Sequence, residues 1–202
     1  MSLIHDAISK LESMLQGSGC EDTPVTLTVN HDAYVCQYPK GVCMEGCFGG
    51  KAGQFVTKFP TRATTRPSFM YAAPLGSEQQ RAAACAIVNA VSAFLCIARR
   101  TYACIPKDHY APCLAGLREE LAGLRICAIG SAPGIRQHMA DQLVDDPASA
   151  DLLLVVGDGL ISDEGLAAIH AHLGKKRVIF VGPSTAGVSG LLNLEHWCPY
   201  GR

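Results

Sequence analysis

The stretch Ala150-Asp-Leu-Leu-Leu-Val-Val-Gly-Asp-Gly-Leu-Ile-Ser-Asp-Glu-Gly165 decides how the second half of this chain is read. Its apolar run, residues 152–156 (LLLVV), is short and ends in glycine, which reads as a strand buried on both faces. Working outward, residues 125–129 (RICAI) and 178–181 (VIFV) read the same way, with helical patterns at 134–144 and 163–173 between them. Apolar strands alternating with helices imply a parallel sheet covered on both faces. The expected fold class is therefore α/β, with a Rossmann-like half over residues 117–202 that opens on a short helical lead-in at 117–122.

Each expected strand ends in a small-residue turn: Gly130-Ser-Ala-Pro-Gly134, Gly157-Asp-Gly159 and Gly182-Pro-Ser-Thr-Ala-Gly187. A parallel sheet gathers such turns on one edge, where ligands of open α/β sheets bind. Gly130, Pro133, Gly157, Asp158, Asp163, Gly182, Ser184 and Thr185 are thus the predicted ligand-binding residues. The plainer reading is that strand-to-helix turns use glycine in any case. No G-x-G-x-x-G follows the first strand, and no acidic residue closes a second strand about 20 residues later, so a dinucleotide site is not expected. A P-loop is absent too.

The first half reads differently. Residues 2–16 carry apolar side chains at three- and four-residue spacing, an amphipathic helix ended by Gly17-Ser-Gly19. Residues 25–38 alternate and predict two short strands around a turn at 30–32. The glycine-rich residues 39–53 predict a loop, 54–60 another strand, and 61–76 an irregular segment. Residues 77–98 predict a helix capped by Ser77, apolar nearly all round and so buried between layers. Residues 101–116, with Pro106, Pro112 and Gly116, read as a connection. The expected organisation is a small α+β part over 1–100 followed by the Rossmann-like half.

The chain has 202 residues, 49% of them apolar and 17% charged, with a net charge of −1. That excludes a disordered chain and gives no field for phosphate backbones or anionic lipid. No apolar run is long enough to span a bilayer and the start is not a signal peptide. A soluble, cytoplasmic protein that binds neither nucleic acid nor membrane is expected. The apolar helix at 77–98 suggests a homo-oligomer.

Ten cysteines without a secretory signal point to reduced thiols. Cys36, Cys43 and Cys47 lie within twelve residues of predicted loop, near Cys20 and His31, and are the predicted metal ligands. Thiolates favour zinc, copper(I) or iron–sulfur clusters, although this spacing matches no standard run of ligands. Cys43 and Cys47 are preferred within that set. Cys104, His109 and Cys113, with His196 and Cys198, form a second set. The alternative is that these are ordinary cysteines behaving as small apolar residues. Lys58, Arg62 and Arg66 form a basic loop suited to a carboxylate or phosphate. Glu45 and Lys51 are a conceivable acid and base, and His170 and His172 read as solvated groups at a helix end. No G-x-S-x-G elbow is present.

The run from Ala150 to Gly165, followed by Val178-Ile-Phe-Val-Gly-Pro-Ser-Thr185, resembles the C-terminal signature of the heavy-metal chelation family, formerly a domain of unknown function. The helix over 80–95 and Gly130-Ser-Ala-Pro133 resemble further segments of that family, and the similarity spans 80–195. The resemblance implies an enolase-N-like part, here shortened, joined to a Rossmann-like domain with a site between them. The family's further strand between the first turn and Ala150 has no counterpart in the pattern here, and Asp163 stands where asparagine is expected. Together these readings predict a protein that binds a transition metal (zinc, iron or copper) or a small ligand in a cleft between its parts. The alternative is an enzyme acting on a small anionic or nucleotide-like metabolite, with Asp158 or Asp163 as proton carrier.

Overall fold

The computed structural model describes residues 2–202. Its first part comprises helix α1 (Leu3–Leu15), strands β1 (Val25–Asn30), β2 (Val42–Phe48), β3 (Lys51–Thr57) and β4 (Ala63–Thr65), the short α2 (Ser68–Tyr71) and the long α3 (Glu78–Phe94). These strands make an antiparallel sheet in the order β3-β2-β1-β4. The expected loop at 39–53 is instead most of a β2–β3 hairpin. Gly49 and Gly50 both take positive φ, +55° and +75°, at a two-residue turn between the paired Phe48 and Lys51. That is the geometry a tight hairpin requires and only glycine adopts freely. Residues 31–38, expected to hold a second strand, carry none.

Two further glycines explain why a strand survives so much of this residue type. Gly46 and Gly53 face each other across the hairpin beneath α3. A Cβ on Gly46 would stand 2.6 Å from the Ala86 carbonyl oxygen, and one on Gly53 would stand 2.7 Å from the Asn89 backbone carbon. Glycine inside a strand here marks close approach of another backbone.

The second part contains α4 (Pro106–Glu120), β5 (Ile126–Ile129), α5 (Pro133–His138), β6 (Leu152–Val155), α6 (Asp163–His172), β7 (Arg177–Val181), α7 (Ala186–Leu192) and the short β8 (His196–Trp197). The strands pair in parallel in the order β5-β6-β7-β8, as the α/β reading requires. The expected connection at 101–116 is largely α4. Pro106 sits at its first turn, where a missing N–H costs nothing, and Pro112 is accommodated within it. The helix expected over 134–144 is only α5 and a 3-10 turn, Ala140–Gln142.

Beyond β5, Leu143 makes a single parallel bridge to Ile126, and the Val144 N–H donates to the Ile126 carbonyl at 2.9 Å. This bridge extends the sheet's pairing by one residue on the far side of β5. From β5 the chain steps outward to residue 143, then crosses back to β6 and continues through β7 to β8. Right-handed crossovers in opposite directions put their helices on opposite faces. Accordingly, Ile135 of α5 packs on one face with Leu117 of α4, while Ile169 of α6 and Val188 of α7 pack on the other. Side chains alternate accordingly along β5 and β6: Ile126, Ala128, Leu152 and Leu154 to one side, Cys127, Ile129, Leu153 and Val155 to the other.

The face carrying Leu153 and Phe180 shares one hydrophobic cluster with α1, α3 and the antiparallel sheet, so a continuous core joins the two parts. Asn89, fully buried in α3, is the polar tie: its Nδ2 donates to the Gln54 carbonyl at 2.8 Å and its Oδ1 accepts from the Gly187 N–H at 2.8 Å. Among the described residues no helix is long and apolar enough to cross a membrane.

Candidate functional site

The point where the chain, having stepped outward from β5, crosses back to β6 is the place where a doubly wound parallel sheet opens a crevice at its carboxyl edge. Here the protein's own groups occupy that edge. Asp158 reaches from the turn after β6 and accepts the Ser131 N–H at 2.8 Å, lacing together the ends of the two strands. Gly130, at φ +97°, leaves no space for a side chain: a Cβ would lie 2.7 Å from Asp158 Oδ1. Burial raises the Asp158 pKa, offset in part by the Ser131 N–H and by Lys58 nearby. Its Oδ1 is enclosed without a hydrogen-bond partner.

The other two turns are pressed against the antiparallel sheet. A Cβ on Gly157 would fall 2.7 Å from Ser184 Cβ, and Ser184 Oγ accepts the Val56 N–H at 3.0 Å. Ser184 and Thr185 are buried, and the Thr185 hydroxyl donates to the Gly182 carbonyl at 3.0 Å. The turns do face residues of 43–66 as the sequence suggests, but β3 meets them in direct contact. Pro133 is exposed at the start of α5, and Asp163 is a surface ion-pair partner of Arg81 at 2.8 Å.

The predicted ligands Cys36, Cys43 and Cys47 do not come together. Cys43 and Cys47 lie four residues apart on the extended β2, separated by roughly 13 Å along a strand. Two thiolates on one zinc ion stand within about 4.6 Å of each other. The expected loop would have allowed their approach; the hairpin does not. Cys43 is buried beside Glu45, and burial followed by that carboxylate pushes its thiol up to about 12. Cys47 is exposed, and Cys36 packs elsewhere, beside Tyr38 and Cys113. Glu45 is held by the Gln54 amide at 3.1 Å, and Arg66 by Asp22 at 3.9 Å.

The second set behaves differently. Cys104, Cys113 and Cys198 line, together with Cys36, a small cavity of about 10 Å³ whose wall also includes Tyr38 and Trp197. The four thiols come from separated segments: the excursion between β1 and β2, the lead into α4, α4 itself, and the residue after β8. They lie between the first part, the connecting helix and the parallel sheet. The turn after β7 closes one side, since a Cβ on Gly182 would stand 3.1 Å from Cys36 Sγ. Gly116 of α4 gives the Trp197 ring its room, the ring lying 3.4 Å from where a Cβ would be.

All four cysteines are buried. Burial drives Cys36 far above the ordinary thiol range and Cys198 up to about 12, with neighbouring thiols adding to both shifts. Tyr38 and Cys113 share a hydrogen bond at 3.2 Å between Oη and Sγ. Trp197 Nε1 is enclosed with no hydrogen-bond partner, as is His109 Nδ1, whose ring stacks on Tyr200 at 4.9 Å. His196 stands apart: its Nε2 lies 2.9 Å from the Gly182 carbonyl, and burial lowers its pKa. Among the described residues, no three or more His, Cys, Asp or Glu side chains stand already grouped as a metal-ligand set.

No family model matches the chain, and no curated protein matches it. Similar solved structures include two proteins of the DUF364 family. One is a protein of unknown function of the DUF364 family from Pyrococcus horikoshii, with 14% identity, a TM-score of 0.51, and coverage of 91% of this chain and 80% of that one. The other is a protein of unknown function of the same family from Desulfitobacterium hafniense, with 16% identity, a TM-score of 0.49, and coverage of 94% and 81%. Their descriptions speak of unknown function and lend no support to metal chelation. At this identity the first likeness establishes one thing, that the chain shares the α/β fold of that DUF364 protein.

Proposed function

We propose that this protein binds a soft transition-metal ion, zinc(II) or copper(I), through Cys36, Cys104, Cys113 and Cys198 in the cavity between its two parts. The observation that carries the reading is that four cysteines from separated segments line one cavity of about 10 Å³. A volume of that order holds about one water molecule. A bare ion fits it and an iron–sulfur cluster, several atoms across, does not.

The donor set supports a soft ion, since sulfur ligands select copper(I) and zinc over magnesium or calcium. Tyr38 Oη and the unpartnered Trp197 Nε1 supply hydrogen-bond donors beside sulfurs that become thiolates on binding. When bound, the ion supplies the positive charge that lets buried thiols give up their protons. The sulfur atoms must draw inward to reach it, because they are not spaced as ligands in the arrangement described. Titration of the reduced protein with cobalt(II), followed by visible and near-ultraviolet absorption, tests the reading. A tetrahedral thiolate spectrum saturating at one equivalent is expected; an octahedral aqua spectrum throughout would refute it.

A further inference from the structure

Two open grooves flank the segment that follows α3, with volumes of about 380 and 430 Å³, and they share Ala98 and Arg99 as a common wall. Arg100 lines the first, Lys51 and Arg202 the second, and neither groove is lined by an Asp or Glu side chain. The chain as a whole balances 17 basic against 18 acidic residues, so Lys51, Arg99 and Arg100 make a local excess of positive charge here. Lys51, Arg99, Arg100 and Arg202 are exposed, and among the described residues none of them is ion-paired.

Basic residues after a helix often serve its last carbonyls, but that role is already filled. The N–H groups of Leu95, Cys96, Ile97 and Ala98 donate to carbonyls between Val91 and Ala93. Cys96 adopts a left-handed φ of +59°, an unusual conformation for a residue with a side chain. It turns the chain back so that residues 97–100 run between the two grooves.

We propose that this double groove binds a small organic molecule bearing two or more phosphate charges, its anionic groups on Arg99 and the cations either side. Each lobe is within the size range of small-molecule sites. Guanidinium forks match phosphate oxygens in pairs. Tyr102 in one lobe and Leu194 in the other offer apolar surface for the organic body. The site is separate from the thiol cavity and does not depend on it.

Calorimetric titration of the full chain with inorganic pyrophosphate tests this, with the Arg99→Gln/Arg100→Gln variant alongside. Saturable binding that weakens about ten- to a hundredfold in the variant is expected, the scale of losing charge-assisted hydrogen bonds. Lys107→Gln, an exposed lysine outside both grooves, leaves the affinity unchanged. Absence of saturable binding, or equal weakening by Lys107→Gln, would overturn the proposal. Citrate binding as tightly as pyrophosphate would overturn the phosphate assignment.

Discussion

Asn89 in the middle of α3 and Gly187 in the first turn of α7 interlock: Asn89 Oδ1 accepts the Gly187 N–H at 2.8 Å, and a Cβ on Gly187 would strike that same oxygen at 2.6 Å. Asn89 Nδ2 spans the Gln54, Pro183 and Ser184 carbonyls at 2.8, 3.2 and 3.3 Å. One amide thus ties the antiparallel sheet, the turn after β7 and the last helix together. Asn89→Ala should cost about 2–4 kcal/mol, because several buried backbone groups lose their partner at once. Urea unfolding with an unchanged slope is the measurement; a loss below about 0.5 kcal/mol would show that water or neighbouring groups replace the amide.

Gly53→Ala and Gly46→Ala should each destabilise by about 1–3 kcal/mol, since the added methyl meets helix backbone rather than a movable side chain. Gly76→Ala is the control: the nearest atom to its Cβ is 3.9 Å away. It should be neutral or slightly stabilising. Thermal melts of the three variants check the contrast.

His196 gives the fold a pH dependence. Burial, and then Arg100, hold its folded pKa below the unfolded value, while the bond to the Gly182 carbonyl acts the other way. The unfolded chain therefore takes up a proton first as pH falls. The stabilising contribution is complete above the unfolded value of about 6.5 and is lost progressively below it. His196→Gln should flatten the stability profile between about pH 7 and pH 5, read from urea midpoints across that range.

The Arg81–Asp163 pair tests whether Asp163 has a structural role alone. Arg81 is nearly buried, with Nε unpartnered, whereas Asp163 is largely exposed. Asp163→Asn should lower stability by about 1 kcal/mol or less, since solvent screens the pair. Cobalt binding should not change.

The parallel sheet was legible because buried strands are apolar on both faces, and residues 126–129, 152–156 and 178–181 show that pattern without interruption. The β2–β3 hairpin was hidden by glycine, which marks loops more often than a floor beneath a helix. Gly49-Gly50 between apolar runs was the signal that could have found it. Helix α4 was hidden by two prolines, one of which sits where helices tolerate it best. The thiol cluster was half legible. Cys104, Cys113 and Cys198 were grouped by sequence, but Cys36 was assigned to its neighbours Cys43 and Cys47, because spacing along a chain says nothing about the far wall of a cavity. The glycine turns were legible, and Gly130 and Gly157 in them are closely packed; close packing and ligand approach demand the same residue.

The most direct test compares metal content in two double variants, expressed with zinc and purified under reducing conditions without a histidine tag. The account predicts about one zinc per chain in the parent and in Cys43→Ser/Cys47→Ser, and loss of that zinc in Cys104→Ser/Cys113→Ser with the circular dichroism spectrum retained. Zinc retained by Cys104→Ser/Cys113→Ser, or lost from Cys43→Ser/Cys47→Ser, would contradict it.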